Sequence, residues 1–172
     1  NYGFGNSLVS KILRFVVKTS VDFPPHYIVQ SAGELIDSGH EVKYSRKMIK
    51  NENFDIYVLS SSIVCHETEL KTISELVKND KIVFVTGPFA TNFSEPYLKV
   101  GAKVIKGEPE MFFHKFDKNI EDLKNLPNVV ENFPSYELDD LALPGWKIIF
   151  DDYVPVMKFI GKGPAISIYA SK

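Results

Sequence analysis

The chain has 172 residues, 44% of them hydrophobic, and 20 basic against 22 acidic side chains give a net charge of -2. That composition builds a packed domain rather than a disordered chain, and it offers no electrostatic footprint for nucleic acid or an acidic membrane surface. No apolar run approaches the roughly 18 residues of a membrane span, and the single cysteine, Cys65, leaves no pair for a disulfide and too few thiolates for an iron–sulfur cluster.

The opening NYGFGNSLVSK lacks the basic-then-apolar design of an export signal, so the cytoplasm is the expected location. It also lacks an initiator Met, as a processed chain or a piece of a larger one does. LRFVVKTS (13–20) predicts a first strand, being a short run rich in Val and Phe. PHYIVQSAGELIDSG (25–39) sets Ile28, Val29, Ala32, Leu35 and Ile36 at helical spacing, with Pro25 suited to a first turn and Gly39 to the stop. HEVKYS (40–45) predicts a second strand. FDIYVLS (54–60) predicts a third, whose near-continuous apolar run fits a parallel strand covered on both faces. ETELKTISELVKND (67–80) predicts a helix with Leu70, Ile73, Leu76 and Val77 on one face, and KIVFVTG (81–87) a fourth strand. FSEPYLKVG (93–101) predicts a short helix, AKVIKG (102–107) a fifth strand, and EPEMFFHKF the opening of a further helix.

From about residue 117 the alternation stops. A polar stretch broken by Pro127, Pro134 and Pro144 reads as a linker that wraps a surface, with Leu141, Leu143 and Trp146 tucked in. Strand-like pieces follow around a turn at Gly161–Pro164, and PAISIYASK (164–172) predicts a closing strand.

Five strands alternating with helices predict a mostly parallel, doubly wound α/β sheet. Such sheets take ligands outside the C-terminal ends of their strands, and here those ends read SVDFPP, SSS, TGPFAT and KGEPE. Ser60, Ser61 and Ser62 either cap the following helix or hydrogen-bond a ligand, and one hydroxyl can do each. Gly87–Pro88 and Gly107–Glu108 allow close backbone approach to a ligand, or make ordinary tight turns. No G-x-G-x-x-G follows the first strand, which argues against a nicotinamide dinucleotide. The four histidines, His26, His40, His66 and His114, are scattered and form no metal-ligand spacing.

Six pieces taken in order carry a family resemblance: PPHYIVQSAGELIDSGHEV, FDIYVLSSS, VFVTGPFAT, VIKGEPE, LDDLALPGW and ISIYASK. Across residues 13–172 the chain resembles the N-terminal half of cobalamin-dependent radical S-adenosylmethionine (SAM) enzymes. The resemblance implies a flavodoxin-like (Rossmann-like) five-stranded parallel sheet, order 2-1-3-4-5, over residues 1–116. It implies a linker over 117–163 and the first strand of a radical SAM barrel over 164–172, cut just before the three-cysteine motif. Cobalamin would lie along the C-terminal edge, on Pro24, Pro25, Ser60, Ser61, Ser62, Gly87, Pro88, Gly107 and Glu108. S-adenosylmethionine and a 4Fe–4S cluster would belong to the parent enzyme, a methyltransferase whose barrel domain is the implied partner. The family's Gly-Gly-Pro appears here as Thr86-Gly87-Pro88, one glycine short, and the mutase motif D-x-H-x-x-G is absent, so no lower axial histidine is expected from that loop. Two other readings compete: a Rossmann-like docking or substrate-recognition domain that binds no cobalamin, and a flavodoxin-like flavin binder.

Overall fold

The computed structural model describes residues 7–9, 11–12, 24–45, 54–131 and 133–149. The strand expected at 13–20 and the closing strand expected at 164–172 lie outside the described residues. Within them the order is α1 (His26–Asp37), β1 (Ile56–Ser60), α2 (His66–Lys78), β2 (Ile82–Thr86), α3 (Pro88–Asn92), α4 (Glu95–Lys99), β3 (Lys103–Ile105), α5 (Pro109–Phe113), α6 (Ile120–Asn125) and β4 (Val129–Val130).

The described strands form one parallel sheet in the order β1-β2-β3-β4. Ile56 pairs with Ile82 and Ser60 with Thr86, then Val85 with Val104, then Ile105 with Val130. β2 lies at the centre, and all five of its residues are buried. Its alternate side chains feed two cores. Val83 and Val85 pack with Ile73, Leu76, Ala90, Tyr97, Ala102 and Val104, under α2, α3 and α4. Ile82 and Phe84 pack with Ile105, Phe112, Phe113, Phe116, Leu123 and Val130, under α5 and α6, with Leu35 of α1 at the margin. Helices on both faces of a parallel sheet make this an α/β three-layer fold compatible with a Rossmann-like arrangement. Large side chains fully removed from water, such as Phe84 and Tyr97, each contribute about 1.5–3 kcal/mol of apolar burial.

Three expectations change. His40–Ser45 runs as irregular backbone: a strand needs a hydrogen-bonded neighbour, and the segment expected to lie near it, 13–20, is outside the described residues. The helix expected over 93–101 is found at Glu95–Lys99, and a separate short helix, Pro88–Asn92, precedes it in the stretch read as the loop after the fourth strand. The alternation also runs on past residue 117. Asn119 opens α6 with a reciprocal capping box, its side chain accepting from Asp122 N while Asp122 returns a bond to the Asn119 amide. The two-residue β4 then adds a fourth strand from inside the stretch read as linker.

Beyond β4 the chain returns across α1 as a strap. Gly145 N donates to Val29 O at 2.8 Å, and a side chain on Gly33 would run into the Leu143 carbonyl, so only hydrogen at Gly33 admits this approach. Leu141 and Trp146 are half-buried as expected, but Leu143 is 88% exposed. The strap meets α1 through backbone at this point, which turns the leucine side chain to solvent. α1 departs from its expected face for the same reason. Val29 and Ala32 are buried, yet so are Gln30, Ser31 and Glu34, while Ile36 is 42% exposed. A helix covered on a second side by a strap buries polar positions that periodicity assigns to water.

Candidate functional site

Parallel pairing brings the C-terminal ends of β1, β2 and β3 to one edge, and with them the loops carrying Ser60–Ser62, Gly87–Pro88 and Gly107–Glu108. Pro24 is buried beside this region, and Pro25 is the N-cap position of α1, its carbonyl accepting from Ile28 N and Val29 N. The edge thus gathers every expected site residue on three consecutive strand ends and the start of one helix.

Each serine hydroxyl has a protein partner. Ser60 Oγ lies 2.7 Å from the Tyr27 hydroxyl, tying the end of β1 to the first turn of α1. Ser61 Oγ accepts from Ala90 N at 2.9 Å, so it caps α3, the helix after the neighbouring strand, and not α2. Its own amide donates to Thr86 O at 2.8 Å and prolongs the ladder by one residue. Ser62 Oγ accepts a longer bond, 3.3 Å, from Val64 N in the exposed turn before α2. The N-cap of α2 is Cys65, which makes no side-chain cap.

Gly87 is buried with φ at +103°, a left-handed conformation that favours glycine. A Cβ there would stand 2.6 Å from the Tyr27 hydroxyl and 3.2 Å from Ser61 Oγ. The space next to Gly87 is therefore already held by the tip of Tyr27. Beside it, Thr86 Oγ1 is fully buried and has no hydrogen-bond partner among the described residues. Burial raises the Tyr27 phenol above its ordinary value; the Ser60 bond partly offsets this, and the carboxylates of Glu69 and Glu110 add to it. Pro88 is exposed.

A second polar knot lies under the Ser62 turn. Ser62 N donates to both oxygens of Glu69, at 3.0 and 3.3 Å, and the buried Tyr97 hydroxyl donates to Glu69 Oε2 at 2.7 Å. Burial pushes the Glu69 carboxyl up, against the lowering pull of Tyr97, Ser62 N and His66. Burial, then Glu69, pushes the Tyr97 phenol up as well. At the end of β3, Gly107 is exposed with φ at +97°, and a Cβ there would meet only Phe133 Cζ, at 3.6 Å. Glu108 is exposed at the N-cap position of α5 and makes no side-chain cap.

Away from the edge, α1, the residue just past α5 and the strap share a buried carboxylate. Glu34, 1% exposed, accepts from Ala142 N at 2.7 Å and from Gln30 Nε2 at 3.2 Å, and its second oxygen lies 2.8 Å from His114 Nδ1. Gln30 Nε2 also reaches the Ala142 carbonyl. The His114 ring packs on Tyr136 with centroids 4.2 Å apart.

Sequence reasoning found the edge but missed Tyr27, Glu69 and Tyr97, which decide what the edge offers. A tyrosine in the first turn of a helix and a glutamate one turn into another carry no motif, since their meaning comes from contacts 28 and 33 residues away in sequence. Glu34 and His114, 80 residues apart, were equally silent. Among the described residues no group of three or more His, Cys, Asp or Glu side chains is placed to hold a metal ion, and no helix is long and apolar enough to cross a membrane. The chain matches no protein-family profile, no curated protein and no solved structure.

Proposed function

We propose that the chain is the cobalamin-binding module of a larger radical SAM enzyme of the methyltransferase kind. One observation carries the reading: the loops after three consecutive parallel strands bring the serines, Gly87–Pro88 and Gly107–Glu108 to the single edge where sheets of this class receive ligands. The order of the six sequence pieces adds to it. In its finer form the proposal puts 13–20 beside β1, so that it and β1, β2 and β3 follow the flavodoxin-like order with β4 added past β3, and takes residues 164–172 as the first strand of the barrel.

The chemistry at the edge fits an uncharged, amide-rimmed corrin. It offers hydroxyls at Tyr27, Ser60 and Ser61 around a buried glycine, and an open left-handed glycine at 107. Bound cobalamin supplies a transferable methyl group. This chain's residues bind and orient it: Gly87 and Gly107 let backbone approach, Ser60 and Thr86 offer oxygens, and Pro24 and Pro25 fix the start of α1. S-adenosylmethionine, the 4Fe–4S cluster and the barrel domain belong to the parent chain, and a cytoplasmic location accompanies that assignment.

A second reading has its own observation. All three serine hydroxyls are engaged within the protein and Tyr27 fills the Gly87 space, as they would in a docking or substrate-recognition domain that holds no cobalamin. The coding sequence beyond Lys172 tests the parentage. The proposal expects Gly and then a C-x-x-x-C-x-x-C motif within about twenty codons; a cysteine-free continuation overturns it.

A further inference from the structure

The edge of the sheet opposite the candidate site has a chemistry of its own. β2 and β3 begin there, at Ile82 and Lys103, and α2, α4 and α6 end there, at Lys78, Lys99 and Asn125. Between them lies a cavity of about 210 Å³. Val77, Ile82 and Val83 give it apolar walls, and its charged lining is Asp80, Lys81, Lys103 and Lys124. Three cations against one acid is a local excess of positive charge on a chain whose net charge is -2.

Lysines at helix C-termini ordinarily answer the partial negative charge of the last carbonyls. Here backbone amides already take much of that part. Asn79 N, Asp80 N and Lys81 N donate to Leu76 O and Val77 O at the end of α2, and Gly101 N and Ala102 N to Leu98 O and Tyr97 O at the end of α4. Only the end of α6 is closed by a lysine: Lys103 Nζ donates to Leu126 O at 2.6 Å and to Lys124 O at 3.1 Å. These two bonds use two of the three hydrogens of an ammonium. The Lys124 ammonium stands 3.8 Å from Asp80 and 3.8 Å from Glu121, whose side chains are 92% and 79% exposed. Pairs so open to water hold a lysine loosely. Burial lowers the Lys103 ammonium below its ordinary value, and an anion beside it would act the other way.

We propose that this cavity is a binding site for a small phosphate-bearing anion, held by Lys103 and Lys124 with Lys81 adding charge. Two points set the class. The volume lies below the roughly 300 Å³ at which pockets for drug-sized ligands begin, so the guest is small. Several ammonium groups around one guest favour a dianion over a single carboxylate, and lysines act on phosphate as point charges. The site sits at the other end of the strands from the serines and Gly87, and it stands independently of the cobalamin reading.

The test is a titration of the chain with inorganic phosphate, read from amide resonances, with acetate as the singly charged comparison and ionic strength held constant with sodium chloride. Phosphate should shift the Gly101, Lys103 and Lys124 amides to saturation, and acetate should bind several-fold more weakly. Lys124→Gln should weaken phosphate binding about two- to fivefold and Lys124→Glu by more. Lys118→Gln, an exposed lysine outside the cavity lining, should leave it unchanged. Shifts that do not saturate, or that acetate reproduces at the same concentrations, overturn the proposal. So does a Lys124→Glu variant that melts like the wild type and binds phosphate as the wild type does.

Discussion

Glu34 Oε2 lies 2.8 Å from Nδ1 of His114, and both side chains are almost completely buried. The other Glu34 oxygen takes the Ala142 amide from the strap and the Gln30 side chain from its own helix. One carboxylate therefore joins α1, the chain just past α5 and the returning strap, and its desolvation is offset by donors from all three.

Replacing Glu34 with Ala strands those donors inside the protein. Each buried donor left without its acceptor costs about 1–3 kcal/mol. Glu34→Ala should lower the urea midpoint accordingly, and limited proteolysis should cut the strap near 141–145 earlier than in the wild type. A variant within about 1 kcal/mol of the wild type would show that the strap is held elsewhere.

The serines should separate by role. Ser61 caps α3 from the adjacent strand end, so Ser61→Ala should cost about 0.5–2 kcal/mol. Ser62 makes its hydroxyl bond in an exposed turn, and Ser62→Ala should fall within about 0.5 kcal/mol of the wild type. Paired thermal melts settle the order; a larger loss for Ser62 than for Ser61 contradicts the assignment.

Glu69 carries a pH signature. Burial, the largest influence, raises its carboxyl above the ordinary 4.5. The folded chain then holds the proton more tightly than the unfolded chain, so this group's contribution is fully present below pH 4.5 and is lost as pH rises through the folded value. Glu69→Gln removes that titration. The stability of the wild type relative to Glu69→Gln should therefore fall as pH climbs through the upper carboxylate range and level off above it. Denaturant midpoints of both proteins across that range check it, and a difference that stays constant or grows would refute it.

Much of the sheet was readable because each of β1, β2 and β3 is an apolar run closed by Ser, Thr-Gly or Lys-Gly. β4 was not, because two valines between prolines form a strand only through pairing with Val104 and Ile105. The faces of α2 came out as spaced, with Ile73 and Leu76 buried. Those of α1 did not, because the strap covers Gln30 and Glu34 and leaves Ile36 in water. At the candidate site, strand ends named the loops that the sheet brings together, but whether a serine faces a ligand or a neighbour depends on residues such as Tyr27 and Ala90 that only the fold brings near.

The central claim is cobalamin binding at the C-terminal edge. The direct measurement is a visible spectrum of the purified chain after incubation with hydroxocobalamin and removal of free cofactor. The account predicts retained corrin absorbance near one equivalent, reduced by replacing the open Gly107 with Val and unaffected by replacing His26 with Ala. A spectrum without corrin absorbance contradicts it.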